Sequence, residues 1–306
     1  MGMGSDVDAE NPSSSPYKRP TSFITVSYAE APAWLATNRY ILTGYRVYFS
    51  FSLALASLLR WHNETMNIWT HIVASALAVY LLVTLPPYAA SLGGGHYAPF
   101  ALYLAAGVAA FVASSTYHTF SCCSQGVSRT LARLDYMGIA LLMTAAFMPG
   151  IHFGFACYPI LSLFYQLLIG FVALAALALM LSPSVSLFYQ GYYTRLALYT
   201  ALAALSIVPI SHWVYIHGAD SEQVHLILGR MLVLFAWLAL AAVIFVFQIP
   251  ERWAPGTFDS FGHSHMIWHI IALGIFLYHL NSAVLYLHYT IDHPCPKFNP
   301  LSLVPT

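Results

Sequence analysis

Between residues 67 and 289 the chain reads as long apolar runs, broken by short stretches of polar residues, glycine and proline. A helix needs about 20 residues to cross the hydrocarbon core of a bilayer. Runs at about 67–92, 97–122, 134–157, 159–182, 196–217, 226–249 and 263–289 meet that length. The breaks fall at Pro86-Pro87 with Gly93-Gly94-Gly95, Pro159, Pro183, Gly218, and Pro250 with Pro255-Gly256. Such residues end helices and turn the chain. The pattern predicts an all-α integral membrane protein with seven transmembrane helices, and no internal repeat stands out.

The ends of the chain read differently. Residues 1–30 are rich in Ser, Pro, Asp and Asn and suggest a disordered cytosolic tail. The first 20 residues hold no apolar core, so the first membrane helix is expected to do the targeting in place of a cleaved signal. In residues 31–66, Trp34, Leu35, Tyr40, Ile41 and Tyr48 mix with Arg39, Arg46 and Arg60, which suggests an interfacial amphipathic helical segment. A transmembrane domain over 67–289 and a short external tail over 290–306 complete the expected organisation.

Composition narrows the class. Hydrophobic residues make up 59% of the 306 and charged residues only 7%, against about 25% charged in soluble domains. That excludes an ordinary soluble protein. Eleven Lys and Arg against eleven Asp and Glu leave no positive surplus for nucleic acid. Only Asp135 and Arg230 fall inside the seven windows.

The basic residues suggest an orientation. With the N-terminus in the cytosol, Lys18, Arg19, Arg39, Arg46, Arg60, Arg129, Arg133, Arg195 and Arg252 face inward, and only Arg230 and Lys297 face outward. The C-terminus is then external or lumenal, the reverse of a G-protein-coupled receptor. A multi-pass location in the plasma membrane or an endomembrane follows. The four cysteines, Cys122, Cys123, Cys157 and Cys295, form no CxxC pair. Cys122 and Cys123 read as packing residues or acylation sites at a helix end.

Candidate chemistry rests on histidine. Of the 14, His96, His225, His288 and His293 lie at loops or span ends. His212, His217 and His279 suit helix–helix hydrogen bonds. His265 and His269 lie four apart and so share a helical face, while His263 points about 200° round the helix from His265. Their HxxxH spacing lacks the Glu of the zinc-protease motif, because Met266 follows His265. The alternating topology brings His118, Asp135, His265 and His269, from three spans, to one end of the bundle. Three histidines and a water form the open type of zinc site. His118, Asp135 and Ser114 would also serve as a buried polar network without metal.

Five strings carry a family resemblance: His62-Asn-Glu-Thr-Met-Asn-Ile-Trp-Thr-His71, Ser114-Ser-Thr-Tyr-His118-Thr-Phe-Ser-Cys122, Leu134-Asp-Tyr-Met-Gly-Ile-Ala-Leu-Leu142, Ile249-Pro-Glu-Arg-Trp-Ala-Pro-Gly-Thr-Phe-Asp259 and Ser264-His-Met-Ile-Trp-His269. The chain resembles the progestin and adipoQ receptor family, among its members most closely the adiponectin receptors, and the wider superfamily that includes alkaline ceramidases. The resemblance implies Zn2+ held by His118, His265 and His269. It also implies that Asp135 contacts the ion through water, and that Ser114 matches the superfamily serine. Met266 and Trp268 stand where the family more usually has Gln and Phe, and the N-terminal tail is short and unlike that of the animal receptors.

Three functional readings follow from the resemblance. In the first, the protein is a lipid amidase of ceramidase type. Zn2+ lowers the pKa of a water, Asp135 takes its proton, and zinc or Ser114 stabilises the oxyanion on a lipid such as ceramide. In the second, it is a receptor with structural zinc and an external protein or steroid ligand. The third is a regulator of zinc or sterol balance. Ceramide or a free fatty acid is the expected occupant of the helix bundle.

Overall fold

The computed structural model describes residues 19–93, 95–181 and 192–295. Its helices are α1 (Phe51–Ala56), α2 (Thr65–Ser91), α3 (Tyr97–Phe120), α4 (Gln125–Ala145), α5 (Phe147–Gly154), α6 (Pro159–Leu181), α7 (Tyr192–Leu205), α8 (Ile207–His217), α9 (Glu222–Phe247) and α10 (Ser264–Asp292), with a 3₁₀ turn at Ser57–Leu59. Seven helical stretches are long and apolar enough to span a membrane, α4–α5 and α7–α8 each counting as one. Among the described residues the only β pairing is the isolated bridge between Val26 and Tyr45.

The two broken spans have a common cause. A proline lacks an N–H and crowds the carbonyl four residues before it. Pro149 stands four residues after Ala145, where α4 ends, and Pro209 four after Leu205, where α7 ends. At the first break His279 of α10 donates Nε2–H to the Ala146 carbonyl at 2.8 Å. Pro86 and Pro87, expected to punctuate, lie inside α2 near its end.

The third span begins earlier than its apolar run suggests. Ser124 caps α4 by accepting from the Val127 amide at 3.2 Å. The polar first turns (Gln125 to Arg133) are helical but too hydrophilic to register as membrane-spanning. Asp135 therefore lies about three turns inside α4 rather than at its start.

Helix pairing follows the sequence order, with α2 on α3, α3 on α4 and α9 on α10, and α10 packs back against α2. Small residues permit close approach, as is usual between membrane helices. A Cβ at Gly138 would lie 2.8 Å from the Ala110 Cα, and one at Gly107 would strike the Phe276 ring. The outward faces are apolar: Ile160, Leu163, Leu167, Phe171 and Leu174 form an exposed stripe along α6. A soluble protein does not sustain such a stripe.

We call the end where α2 and α10 begin the basal end. The N-terminal segment lies across it, and it differs from the interfacial helices expected over 31–66. Only α1 and the 3₁₀ turn are helical there, and the rest is irregular chain held by specific bonds. Residues 1–18 of the expected tail lie outside the described residues. The Val26 and Tyr45 backbones exchange hydrogen bonds, and Asp259 accepts from the Leu42 amide at 2.9 Å and the Thr43 hydroxyl at 2.6 Å. Buried Arg46 donates to the carbonyls of His118 at 2.6 Å and Thr119 at 3.2 Å, capping the end of α3. At the distal end Cys157 and Cys295 form a disulfide, whereas Cys122 and Cys123 are free and buried.

Candidate metal centre

α3 runs towards the basal end and carries Ser114 and His118 one turn apart, both buried. α10 runs away from it and presents His265 and His269 from its first two turns. One ligand-type atom from each of His118, His265 and His269 lies within 4.8 Å of the others, so these three histidines could hold a metal ion. The three ring centroids are 4.7–5.0 Å apart.

Ring orientation sharpens the case. The Nδ1 of His118 is 2.7 Å from Glu64 Oε2. That bond selects the Nδ1–H tautomer and leaves a lone pair on Nε2. His269 places Nδ1 3.1 Å from the Asn67 carbonyl and 3.2 Å from the Thr70 hydroxyl, which frees its Nε2 in the same way. The Nε2 atoms of His118 and His265 face each other at 3.2 Å. Two nitrogens on a tetrahedral ion at about 2.0–2.1 Å stand about 3.3 Å apart. The His118–His265 pair thus has the spacing of two ligands on one ion.

The groups that orient these rings come from α2 and its N-cap Glu64, where the sequence pattern offered no candidate. Glu64, Asn67 and His71 recur at three- and four-residue spacing and so share one face. Glu64 also accepts from Asn67 Nδ2 at 2.7 Å. Burial works to raise the Glu64 pKa. The facing His118 and the hydrogen bonds from His118 and Asn67 outweigh it and hold the carboxyl below its ordinary range. The His71 ring stacks on His269 at 3.7 Å with 9° between planes. The available signal was a row of polar side chains on one face of an otherwise apolar helix. It was legible as spacing but not as a partner for any particular histidine.

Asp135 is buried on α4 near Ser114 and in the field of His118 and Arg195. Asp135, Ser114 and the three histidines all line one cavity of about 1150 Å³. It continues through the bundle between apolar walls to Trp213 and Tyr286 near the distal end. His263 is placed differently from the sequence expectation. It is the N-cap of α10, and its Nδ1 accepts from the Met266 amide at 3.3 Å. Other histidines make the expected interhelical bonds, His212 with Tyr165, His217 with the Gly154 carbonyl and His279 with the Ala146 carbonyl.

Seven membrane-spanning helices around a three-histidine cluster that could hold a metal ion define a heptahelical membrane protein. Residues 59–280 match the family model described as haemolysin-III related. The chain belongs to that family, which also includes the progestin and adipoQ receptors. It is 31% identical to heptahelical transmembrane protein 1 of Arabidopsis thaliana, over 88% of this chain and 82% of that protein. It is 28% identical to progestin and adipoQ receptor family member 3 of Mus musculus, over 89% of each. It is also 28% identical to the adiponectin receptor protein of Drosophila melanogaster, over 82% of this chain and 57% of that one.

Proposed function

We propose that the protein is a zinc-dependent hydrolase of a lipid amide, ceramide being the substrate class. The observation that carries this reading is the three-histidine cluster set in the wall of a large, mostly apolar cavity. His118, His265 and His269 are the ligands. Neutral imidazoles suit Zn2+, and three of them with an open position match its catalytic rather than its structural sites. A zinc ion there supplies Lewis acidity, which polarises a carbonyl and acidifies water.

The chain's own groups do the rest. The Asp135 carboxylate takes a proton from the attacking water and returns it to the leaving nitrogen, as a general base and then acid. The Ser114 hydroxyl donates to the carbonyl oxygen as negative charge develops there. The apolar walls accept acyl chains and keep bulk water out. The basal end faces the cytosol in this reading, supported by the basic-residue bias and by the distal disulfide, a bond that persists in oxidising compartments.

A second reading rests on the relatives, two of which carry the word receptor in their names. In it the same zinc is structural and the output is conformational. Metal analysis of the purified protein, with release of fatty acid from ceramide measured in the same sample, separates the two. The hydrolase reading expects one zinc and turnover that stops on chelation. Zinc without turnover favours the receptor, and no bound metal overturns both.

A further inference from the structure

Glu251 is fully buried in the segment between α9 and α10 and belongs to neither the histidine cluster nor the cavity wall. Its Oε2 accepts from the Ser264 amide at 2.7 Å, its Oε1 accepts from the Ser264 hydroxyl, and Oε1 also accepts from Asn38 Nδ2 at 3.0 Å. Ser264 is the first residue of α10, and His265 is the second. An N-terminal helical amide has no partner within its own helix, and a carboxylate there is favoured by the helix dipole. Glu251 supplies both the acceptor and the charge.

The donor from the N-terminal segment is equally constrained. Asn38 cannot turn its amide round, because its Oδ1 already accepts from the Tyr40 amide at 3.0 Å. The Tyr40 carbonyl accepts in turn from Gly256, in the same connecting segment as Glu251, at 3.0 Å. A chain of bonds thus runs from residues 38–40 through Glu251 to the turn that carries His265. A helix turns about 100° per residue, so a small rotation of this first turn swings the His265 ring away from His118.

We propose that Glu251 is a positioning residue for the metal centre and that Asn38 couples it to the N-terminal segment. Drawing that segment off the basal end loosens the His265 turn and weakens metal binding. This rests on the reading of the three histidines as metal ligands.

The test exchanges donor and acceptor in the full-length protein. Glu251→Gln sets an amide N–H₂ against that of Asn38, and Asn38→Asp sets two carboxylates together. Each single variant should weaken Zn2+ binding about 10-fold and alter the visible spectrum of the Co2+-loaded protein. In the double variant, the amide carbonyl introduced at position 251 accepts from the Ser264 amide. The N–H₂ beside it donates to the carboxylate introduced at position 38 and to the Ser264 hydroxyl. The double variant should recover most of the affinity and the wild-type spectrum. Wild-type affinity in both single variants, or losses that merely add in the double, overturn the proposal. If the single variants do not fold, Ser264→Ala, which removes one donor to Glu251, should give a smaller loss in the same direction. Hydrogen exchange of the amides at 264–269 reads the anchor without metal. Unchanged exchange in Glu251→Gln sinks the anchor, while a wild type that binds no metal sinks the metal reading instead.

Discussion

His118 presents Nε2 to its neighbours only while Nδ1 keeps its proton, and Glu64 Oε2, 2.7 Å from Nδ1, accepts that proton's hydrogen bond. Carboxylates that orient a ligating histidine are typically worth about 10–100-fold in metal affinity. Glu64→Gln removes the charge but not the shape, and a Zn2+ titration should show a loss in that range. Undiminished affinity would leave Glu64 as a helix-start residue only. Asp135 touches none of the three histidines by a direct hydrogen bond in the structure, so Asp135→Asn should retain metal while ceramide turnover falls about 10²–10⁴-fold. Loss of zinc along with turnover would make Asp135 a direct ligand. His62 brings a pH dependence of its own. Burial, and then Arg46, depress its pKa from 6.5 to about 3. Between those values the unfolded chain binds a proton that the folded one refuses. Stability is therefore unaffected by this group above pH 6.5 and falls as pH drops from there towards 3. His62→Asn keeps an acceptor for the Glu64 amide, which His62 Nδ1 now accepts at 3.1 Å. It should flatten that limb of the stability curve, and an unchanged limb would place the acid sensitivity elsewhere.

Among the elements, α10 shows how a helix start and a metal centre share residues. His263 caps the helix, His265 and His269 supply ring nitrogens, and Ser264 is held by Glu251. His263→Ala should therefore lower stability by about 1 kcal/mol, the usual value of an N-cap, yet cost far less metal than loss of a ligand in His265→Ala. Thermal unfolding and metal analysis of one preparation check both halves. Metal loss equal to that of His265→Ala would mean that the cap, and not the HxxxH pair alone, sets the ligand geometry. The spacing of His265 and His269 was enough to put them on one helical face. The role of His263 was not legible, because a residue two positions before a ligand reads as helical until the backbone shows where the helix begins. The α4–α5 and α7–α8 breaks were likewise hidden, since Pro149 and Pro209 sit in apolar runs that hydropathy treats as continuous.

Taken whole, the molecule has a basal end closed by the N-terminal segment and a distal end tied by Cys157–Cys295. The orientation that assigns these ends to cytosol and exterior predicts that Asn63, in the sequon Asn63-Glu-Thr65, carries no glycan when expressed in a eukaryotic host. A glycosylated Asn63, detected as an endoglycosidase-sensitive mass shift, would reverse the topology and move the histidine cluster to the outer leaflet. The seven spans and the basic-residue bias are properties of local composition. They could be read from the sequence because crossing a bilayer demands about 20 apolar residues wherever the helix packs. His118, His265, His269 and Asp135 could be named because alternating spans bring alternate helix ends to one side, and Ser114 because it matches the serine of the family resemblance. The supporting groups depend on lateral placement instead. Which face of α2 meets His118 and His269, how irregular chain from residue 31 onward ties to Glu251 and Asp259, and that Cys157 lies beside Cys295 are set by helix packing and loop paths. Those contacts join residues far apart in the chain, and no local pattern encodes them.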